Sequence, residues 1–190
     1  MHKEIITLAG KLGSGKSSTA KRIAAALEYT HYSSGDFARA VARDHGMTIT
    51  EWNTYAEAHP EMDHEVDAKN KEMARENKVV IDSRLAFHFI PESFKVFLDI
   101  DASVAAERIF KDLGQAHRSE EHQAESIDEL TQDLIRRAES EVKRYQDLYN
   151  VHPHDHRHFD LIINTGLPEN TLDHVVQLII TAYTEWLTKK

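Results

Sequence analysis

The sequence GKLGSGKS at positions 10–17 stands between a short apolar run and an amphipathic stretch. The apolar run at residues 5–8 is typical of a buried strand, and residues 20, 23, 24 and 27 recur at the spacing of one buried helical face. A glycine-rich turn in this setting fits the pattern G-x-x-x-x-G-K-[S/T] in full. Its backbone N–H groups and the dipole of the following helix favour phosphate oxygens. The sequence therefore predicts a phosphate-binding loop (P-loop).

Further apolar runs at residues 29–34, 79–82, 95–101 and 161–164 predict four more strands. Predicted helices separate them and cover residues 20–27, 36–45, 50–59, 61–77, 104–113, a long stretch after Ser126 and a closing stretch from Leu172. Strands that alternate with helices indicate an α/β fold. We expect one domain over residues 1–190, built as a three-layer sandwich around a five-stranded, mostly parallel sheet.

Composition excludes several classes of protein. The 190 residues include 23 basic and 32 acidic side chains, a net charge of -9, which argues against broad binding to nucleic acid or anionic membrane. The absence of cysteine removes disulfides, thiolate metal sites and cysteine nucleophiles. No apolar stretch approaches the roughly 20 residues that span a bilayer. We expect a cytoplasmic monomer that acts on small molecules.

The P-loop assigns chemistry to three side chains. Lys16 is expected to reach the β- and γ-phosphates of a nucleotide, and the Ser17 hydroxyl to bind Mg²⁺. Asp82 ends a predicted strand, where an acid assists Mg²⁺ directly or through water. Asp82 is followed by Ser83, Arg84 and Leu85. The Asp-x-x-Gly pattern of switch GTPases is therefore absent, and so is an Asn-Lys-x-Asp segment.

Phosphoryl transfer between two anions needs positive charge in one cleft more than it needs a general base. The candidates are Arg39, Arg84, Arg108, Arg137 and Arg144. Arg137 and Arg144 are seven positions apart on one predicted helix and share a face. The alternative for any one of these arginines is a solvated surface ion pair.

Several segments, in this order, resemble the archaeal-type cytidylate kinases of the nucleoside monophosphate kinase group. They are the loop at 10–17, SSGDFAR at 33–39, the Tyr-Ala-Glu and Pro-Glu-Met-Asp elements within 51–67, DSRL at 82–85, AERI at 106–109, RAESE at 137–141 with Arg144-Tyr145, and DLIINT at 160–165. The resemblance implies transfer of a phosphoryl group from ATP, with Mg²⁺, to CMP or dCMP.

The resemblance also implies roles. The acceptor nucleotide is expected at Ser34, Asp36, Arg39 and Arg84, and the transferring phosphoryl group at Lys16, Arg108, Arg137 and Arg144. ATP is expected to contact Gly10, Lys11, Leu12, Gly13, Ser14, Gly15, Lys16, Ser17, Ser18, Asn164 and Thr165. The metal is expected at Ser17 and Asp82. The core would comprise residues 1–35, 78–109 and 128–190, the acceptor-binding subdomain about 36–77 and a lid about 110–127.

The chain departs from this family pattern in the lid and on the long helix. Asp112 stands where the family often has arginine, the lid is longer than expected, and Arg118 is a candidate replacement for the lost charge. Ala138 stands where the family tends to have an acid, which leaves Glu139 or Glu141 to replace it. Other readings stay open: a kinase for another nucleotide, a kinase for a small hydroxyl metabolite such as shikimate or gluconate, or a non-catalytic ATP-binding module.

Four histidines alternate along residues 152–158, in the run HPHDHRH. Imidazole is a common metal ligand, so this run is a candidate metal site. The alternative is a solvated loop before the last strand, and Arg157 inside the run favours that alternative.

Overall fold

The computed structural model describes residues 3–59, 61–113 and 124–189. Within them, five strands form one sheet: β1 (Ile5–Gly10), β2 (Thr30–Ser33), β3 (Val79–Asp82), β4 (Phe94–Asp99) and β5 (Leu161–Asn164). The strand order is β2-β3-β1-β4-β5, and every neighbouring pair is parallel. The predicted α/β class is confirmed, and the described sheet is parallel throughout.

The helices follow the predicted order. They are α1 (Lys16–Leu27), α2 (Ser34–Asp44), α3 (Ile49–Ala58), α4 (Glu61–Met73), α5 (Ala86–Phe89), α6 (Ala102–Leu113), α7 (Ile127–Tyr149) and α8 (Leu172–Thr188), with a 3₁₀ turn at His156–His158. Helix α4 ends four residues earlier than expected. Asn77 accepts a hydrogen bond from the Glu4 N–H at 2.7 Å, and Lys78 has a φ of 57°, so the chain turns into β3.

Every residue of β1 is buried, which shows that both faces of the sheet are covered. On one face Ile6 and Leu8 pack with residues of α1 and α8, among them Ile23 and Ile179. On the other face, buried clusters join the sheet to α5 and the end of α7. A sheet that buries apolar side chains on both faces makes the middle layer of a three-layer sandwich, as the sequence predicted.

Two helices begin at capping residues. Thr48 Oγ1 accepts from the Glu51 N–H at 3.2 Å, and Glu51 Oε2 accepts from the Thr48 N–H at 2.8 Å, which is a complete capping box for α3. Ser126 Oγ accepts from the Glu129 N–H at 3.1 Å at the start of α7. Local side-chain chemistry therefore fixes where both helices begin.

Parallel strands place their carboxyl ends at one edge of the sheet, which brings Gly10, Asp82, Asp99 and Asn164 together there. Since β1 has β3 on one side and β4 on the other, the chain reverses its direction of winding at β1. In open α/β sheets, ligands bind at such a reversal. In the part of the chain that the structure describes, no helix is long and apolar enough to cross a membrane.

Candidate active site

The loop at residues 10–17 has a backbone that requires glycine. Gly13 has a φ of 77°, and a Cβ there would lie 2.8 Å from the Ala105 Cβ. Gly15, the N-cap of α1, has a φ of 78° and no side chain to bond the first turn of that helix. The first turn of α1 also contains no acidic residue. These N–H groups and the helix dipole therefore suit an anion at the start of α1.

Asp82 lies between the two P-loop side chains to which the sequence assigned chemistry. Its carboxylate is 3.1 Å from Lys16 Nζ and accepts a hydrogen bond from the Ser17 hydroxyl at 2.5 Å. Only 3% of Asp82 is exposed. Burial raises the pKa of this carboxyl, but the Lys16 charge and the Ser17 hydrogen bond outweigh burial and hold the pKa below its usual range. Asp82 is therefore ionised at neutral pH.

This arrangement fits Mg²⁺. The carboxylate oxygens of Asp82 and the hydroxyl of Ser17 are hard oxygen ligands, which this ion prefers, and they are already close together. Lys16 supplies the positive charge that a phosphate chain needs. The structure therefore brings together all three of these predicted side chains.

Arg84 follows Asp82 and reaches α7. Its Nε is 2.8 Å from Glu141 Oε1, and both side chains are partly exposed. Burial lowers the pKa of Arg84, but the Glu141 carboxylate, with smaller contributions from Tyr145 and Asp82, raises it, so the guanidinium pKa lies above its ordinary value. One turn further along α7, the Arg144 guanidinium lies 5.4 Å from the centre of the Tyr145 ring. Arg84 and Glu141 thus connect the end of β3 to the helix that carries Arg144.

Arg137 lies on the same helix, seven residues before Arg144, and both side chains are half-buried. Residues seven apart share a helical face, and Glu141 lies between these two at the same spacing of three to four residues. The structure therefore groups two predicted arginines with the Arg84–Glu141 pair along one side of α7.

Ser34 and Asp36 begin α2. Ser34 Oγ donates to Asn70 Oδ1 at 2.7 Å, in a buried contact with α4. Asp36 is exposed and pairs with Arg39 at 2.6 Å. Asn70 was not among the predicted site residues, and neither was Asp67, which accepts a hydrogen bond from the Tyr149 hydroxyl. Both are buried on α4, although the sequence of that helix is strongly charged.

A second group of predicted side chains lies at the carboxyl ends of β4 and β5. It consists of Arg108, Asn164 and Thr165. Arg108 Nη2 donates to the Thr165 carbonyl. Thr165 is held by two hydrogen bonds to the Asp99 carbonyl, from its N–H at 2.8 Å and its Oγ1 at 3.1 Å. Asn164 Oδ1 accepts from the Gly166 N–H at 2.8 Å. Arg108, expected to contact the transferring phosphoryl group, thus lies next to the segment expected beside the donor base.

Ala138 faces a cavity of about 640 Å³, which Leu12, Val142 and Glu139 also line. Glu139 is exposed, whereas Glu141 binds Arg84. Of the two acids that remained as replacements for the acid missing at position 138, Glu141 is therefore the one that contacts a predicted acceptor residue. Asp112 is exposed on α6, and Arg118 and most of the predicted lid lie outside the described residues.

Three of the alternating histidines lie over aromatic side chains of β4 and α5. The rings of His154 and His156 lie 5.7 and 5.4 Å from the Phe97 ring, and His158 stacks on Phe87 at 5.4 Å. Burial lowers the pKa of His154. Across residues 3–59, 61–113 and 124–189, no group of three or more metal-ligating side chains is placed to hold an ion. The contacts of the histidine run are mainly those of packed aromatic rings, and His156 Nε2 also lies 3.8 Å from Asp99 Oδ2.

The sheet order, the P-loop on β1 and the acid at the end of β3 define a P-loop kinase fold. A shikimate kinase from Bacteroides thetaiotaomicron has the same fold, with a TM-score of 0.66 at 19% sequence identity, over 93% of this chain and 96% of that one.

The family model described as the cytidylate kinase-like family matches residues 5–167, so the chain belongs to that family. The cytidylate kinase of Pyrococcus horikoshii is 36% identical over 165 residues, which are 86% of this chain and 81% of that protein. An S-adenosylmethionine-dependent nucleotide dehydratase from Lacinutrix mariniflava is 36% identical over 183 residues, 95% of this chain but 36% of that longer protein. The resemblance seen in the sequence is therefore confirmed.

Proposed function

We propose that the protein transfers the γ-phosphoryl group of ATP to CMP or dCMP, with Mg²⁺, and releases ADP and the nucleoside diphosphate. The family relationship supports the acceptor. One structural observation carries the chemistry: the ionised, buried Asp82 contacts both Lys16 and Ser17, and Arg84 of the same turn contacts α7. This arrangement provides a cationic P-loop and an arginine-bearing helix at one sheet edge.

On the donor side, residues 10–18 would hold the phosphates through backbone N–H groups. When bound between Ser17 and Asp82, Mg²⁺ would neutralise charge on the phosphate chain. Lys16 would leave Asp82 and contact the β- and γ-phosphates. Asn164 and Thr165 would lie beside the donor base. Arg108, which donates to the Thr165 carbonyl, would contact the transferring phosphoryl group.

On the acceptor side, Arg84, Arg137 and Arg144 would neutralise the acceptor phosphate and the transferring group. Their charge matters because transfer occurs through a loose transition state, for which positioning and electrostatic stabilisation supply most of the catalysis. Ser34, Asp36 and Arg39 at the start of α2 would hold the acceptor nucleotide. Glu141 would orient Arg84 toward it, as its 2.8 Å contact supports.

We also propose the division of the chain into a core, an acceptor-binding subdomain over about 36–77 and a lid over about 110–127. Helices α2, α3 and α4 pack on one another and would form the acceptor-binding subdomain. Closure of the lid would exclude water, so that ATP is not hydrolysed without an acceptor.

The test is ADP release in a coupled assay with ATP, Mg²⁺ and one of CMP, dCMP, UMP, AMP or GMP, with shikimate and gluconate as further acceptors. We expect turnover with the cytidine nucleotides. Turnover with shikimate or gluconate alone would show that only the fold is shared with the nucleotide kinases. ATP binding without acceptor-dependent ADP release would identify a non-catalytic module.

A further inference from the structure

Two segments of the proposed donor side lie just beyond the ends of neighbouring strands. The paired register of β1 and β4 ends at Gly10 with Leu98, and that of β4 and β5 ends at Asp99 with Asn164. The P-loop continues from Gly10, and Thr165, which we place beside the donor base, follows Asn164. The pairing of the strands therefore stops where the two segments begin.

Lys11 holds the start of the P-loop on the end of β4. Its N–H donates to the Leu98 carbonyl at 3.1 Å, and its Nζ lies 2.6 Å from Asp99 Oδ1. The carboxylate is itself oriented, because Oδ1 also accepts from the Ile100 N–H at 2.8 Å. The Lys11 and Asp99 side chains are 37% and 25% exposed. A partly shielded pair with one oriented partner loses less side-chain entropy than a mobile surface pair.

The main chain of Asp99 holds the second segment. Its carbonyl accepts from the Thr165 N–H at 2.8 Å and from Thr165 Oγ1 at 3.1 Å. Only 4% of Thr165 is exposed, and the Thr165 carbonyl accepts a hydrogen bond from Arg108. Asp99 therefore contacts the P-loop through its side chain and the segment of Thr165 through its backbone.

We propose that Asp99 is a positioning residue for ATP, which fixes the distance between the site for the phosphates and the site for the base. Two connected sites bind one molecule tightly only when their separation matches that of the two groups in the ligand. A misplacement of about 1 Å at such a site costs about 100-fold in rate. Asp99 acts through Lys11 and Thr165, without itself touching ATP.

This inference rests on the proposed function, which makes ATP the donor. The test variant combines Lys11→Met with Asp99→Asn, which removes the ion pair without a change in net charge and leaves the carbonyl contact with Thr165 in place. The probes are Mg·ATP, which occupies both sites, and Mg·tripolyphosphate, which occupies the phosphate site alone. Isothermal titration calorimetry measures the Kd for each probe, and circular dichroism checks the fold.

We expect the Kd for Mg·ATP to rise about tenfold, because the two sites no longer match the ligand, while the Kd for Mg·tripolyphosphate changes by less than about twofold. The matched control is Asp133→Asn. It breaks the ion pair of another partly exposed aspartate, 3.0 Å from Arg136 on α7, and should change neither Kd.

Lys11→Met alone carries the test should the double variant not fold. The unpaired Asp99 charge then repels both probes, and it repels the more highly charged tripolyphosphate at least as strongly as ATP. This repulsion cannot lower the ratio of the Kd for Mg·tripolyphosphate to the Kd for Mg·ATP. A lower ratio in Lys11→Met therefore reports the loss of positioning and not the loss of charge.

In either variant, a fall of about fivefold or more in that ratio supports the inference. Equal weakening of both probes would show that the pair only keeps the P-loop folded, and no weakening of either would show that the pair is dispensable. Each of these two results overturns the inference. If the unsubstituted protein binds Mg·ATP no more tightly than Mg·tripolyphosphate, the proposed function fails at the donor base, and the inference fails with it.

Discussion

The proposed donor and acceptor sides of the site are built in different ways. The donor side is one continuous stretch, residues 10–18, whose shape is set by the backbone and completed by Asp82. The acceptor side consists of side-chain contacts between distant helices: Ser34 with Asn70, 36 residues apart, and Asp67 with Tyr149, 82 residues apart. A phosphate chain needs the same cradle in every nucleotide, whereas the identity of the acceptor must be read by particular side chains.

The largest loss of activity is expected from replacing the P-loop lysine on the proposed donor side. Lys16→Met should lower kcat by about 1,000-fold for every acceptor alike, because a cation is lost where charge develops in the transition state. The measurement is ADP release at saturating ATP with CMP and with dCMP. Lys21→Met, on the exposed face of α1, is the control and should retain near-normal activity. A loss smaller than tenfold would show that Lys16 is not part of the phosphate site.

A smaller loss of activity, confined to the use of the acceptor nucleotide, is expected from replacing Arg84. Arg84→Gln should reduce kcat/KM for CMP by about 10–100-fold, the size expected for a lost charge-assisted hydrogen bond, and should change the KM for ATP by less than about twofold. Arg136→Gln removes an exposed arginine of α7 and is the control. If the KM for ATP rose as much as the KM for CMP, the two sides would not be separable at Arg84.

The smallest effect tests whether the donor side depends on backbone shape. Gly13 and Gly46 have similar φ values, 77° and 70°, but a Cβ at Gly13 meets Ala105 at 2.8 Å whereas a Cβ at Gly46 meets open space. Alanine at either position must adopt a positive φ, which should lower the free energy of unfolding by about 1–2 kcal/mol. In Gly13→Ala, overpacking against Ala105 should lower the free energy of unfolding by about 1–3 kcal/mol more. Equal free energies of unfolding in urea would contradict a crowded loop at Gly13.

The elements that the sequence predicted best are those whose signal is local. Strands β3 and β5 begin and end where expected, because strands buried in a parallel sheet are short apolar runs. The capping box at Thr48 and the loop at 10–17 are also patterns within a few residues. The four-residue helix α5 was missed because one helical turn has no measurable periodicity.

The acceptor side was less predictable for a physical reason. Asp67 and Asn70 are polar residues in a strongly charged helix, and nothing in their spacing shows that the face carrying them is buried. Their burial depends on Ser34 and Tyr149, which the chain brings close only through its tertiary fold. The contact of Arg108 with the Thr165 carbonyl likewise joins residues 57 positions apart, and the sequence does not reveal it.

The contacts of Asp82 with Lys16 and Ser17 also bear on which anions the loop admits. A free phosphate ion that draws Lys16 away leaves a buried carboxylate without its cation, and breaking a buried pair in this way is strongly unfavourable. A polyphosphate that arrives with a divalent cation gives Lys16 a phosphate partner and Asp82 a cation at the same time. The internal pair is therefore expected to disfavour inorganic phosphate alone relative to a polyphosphate that carries a divalent cation.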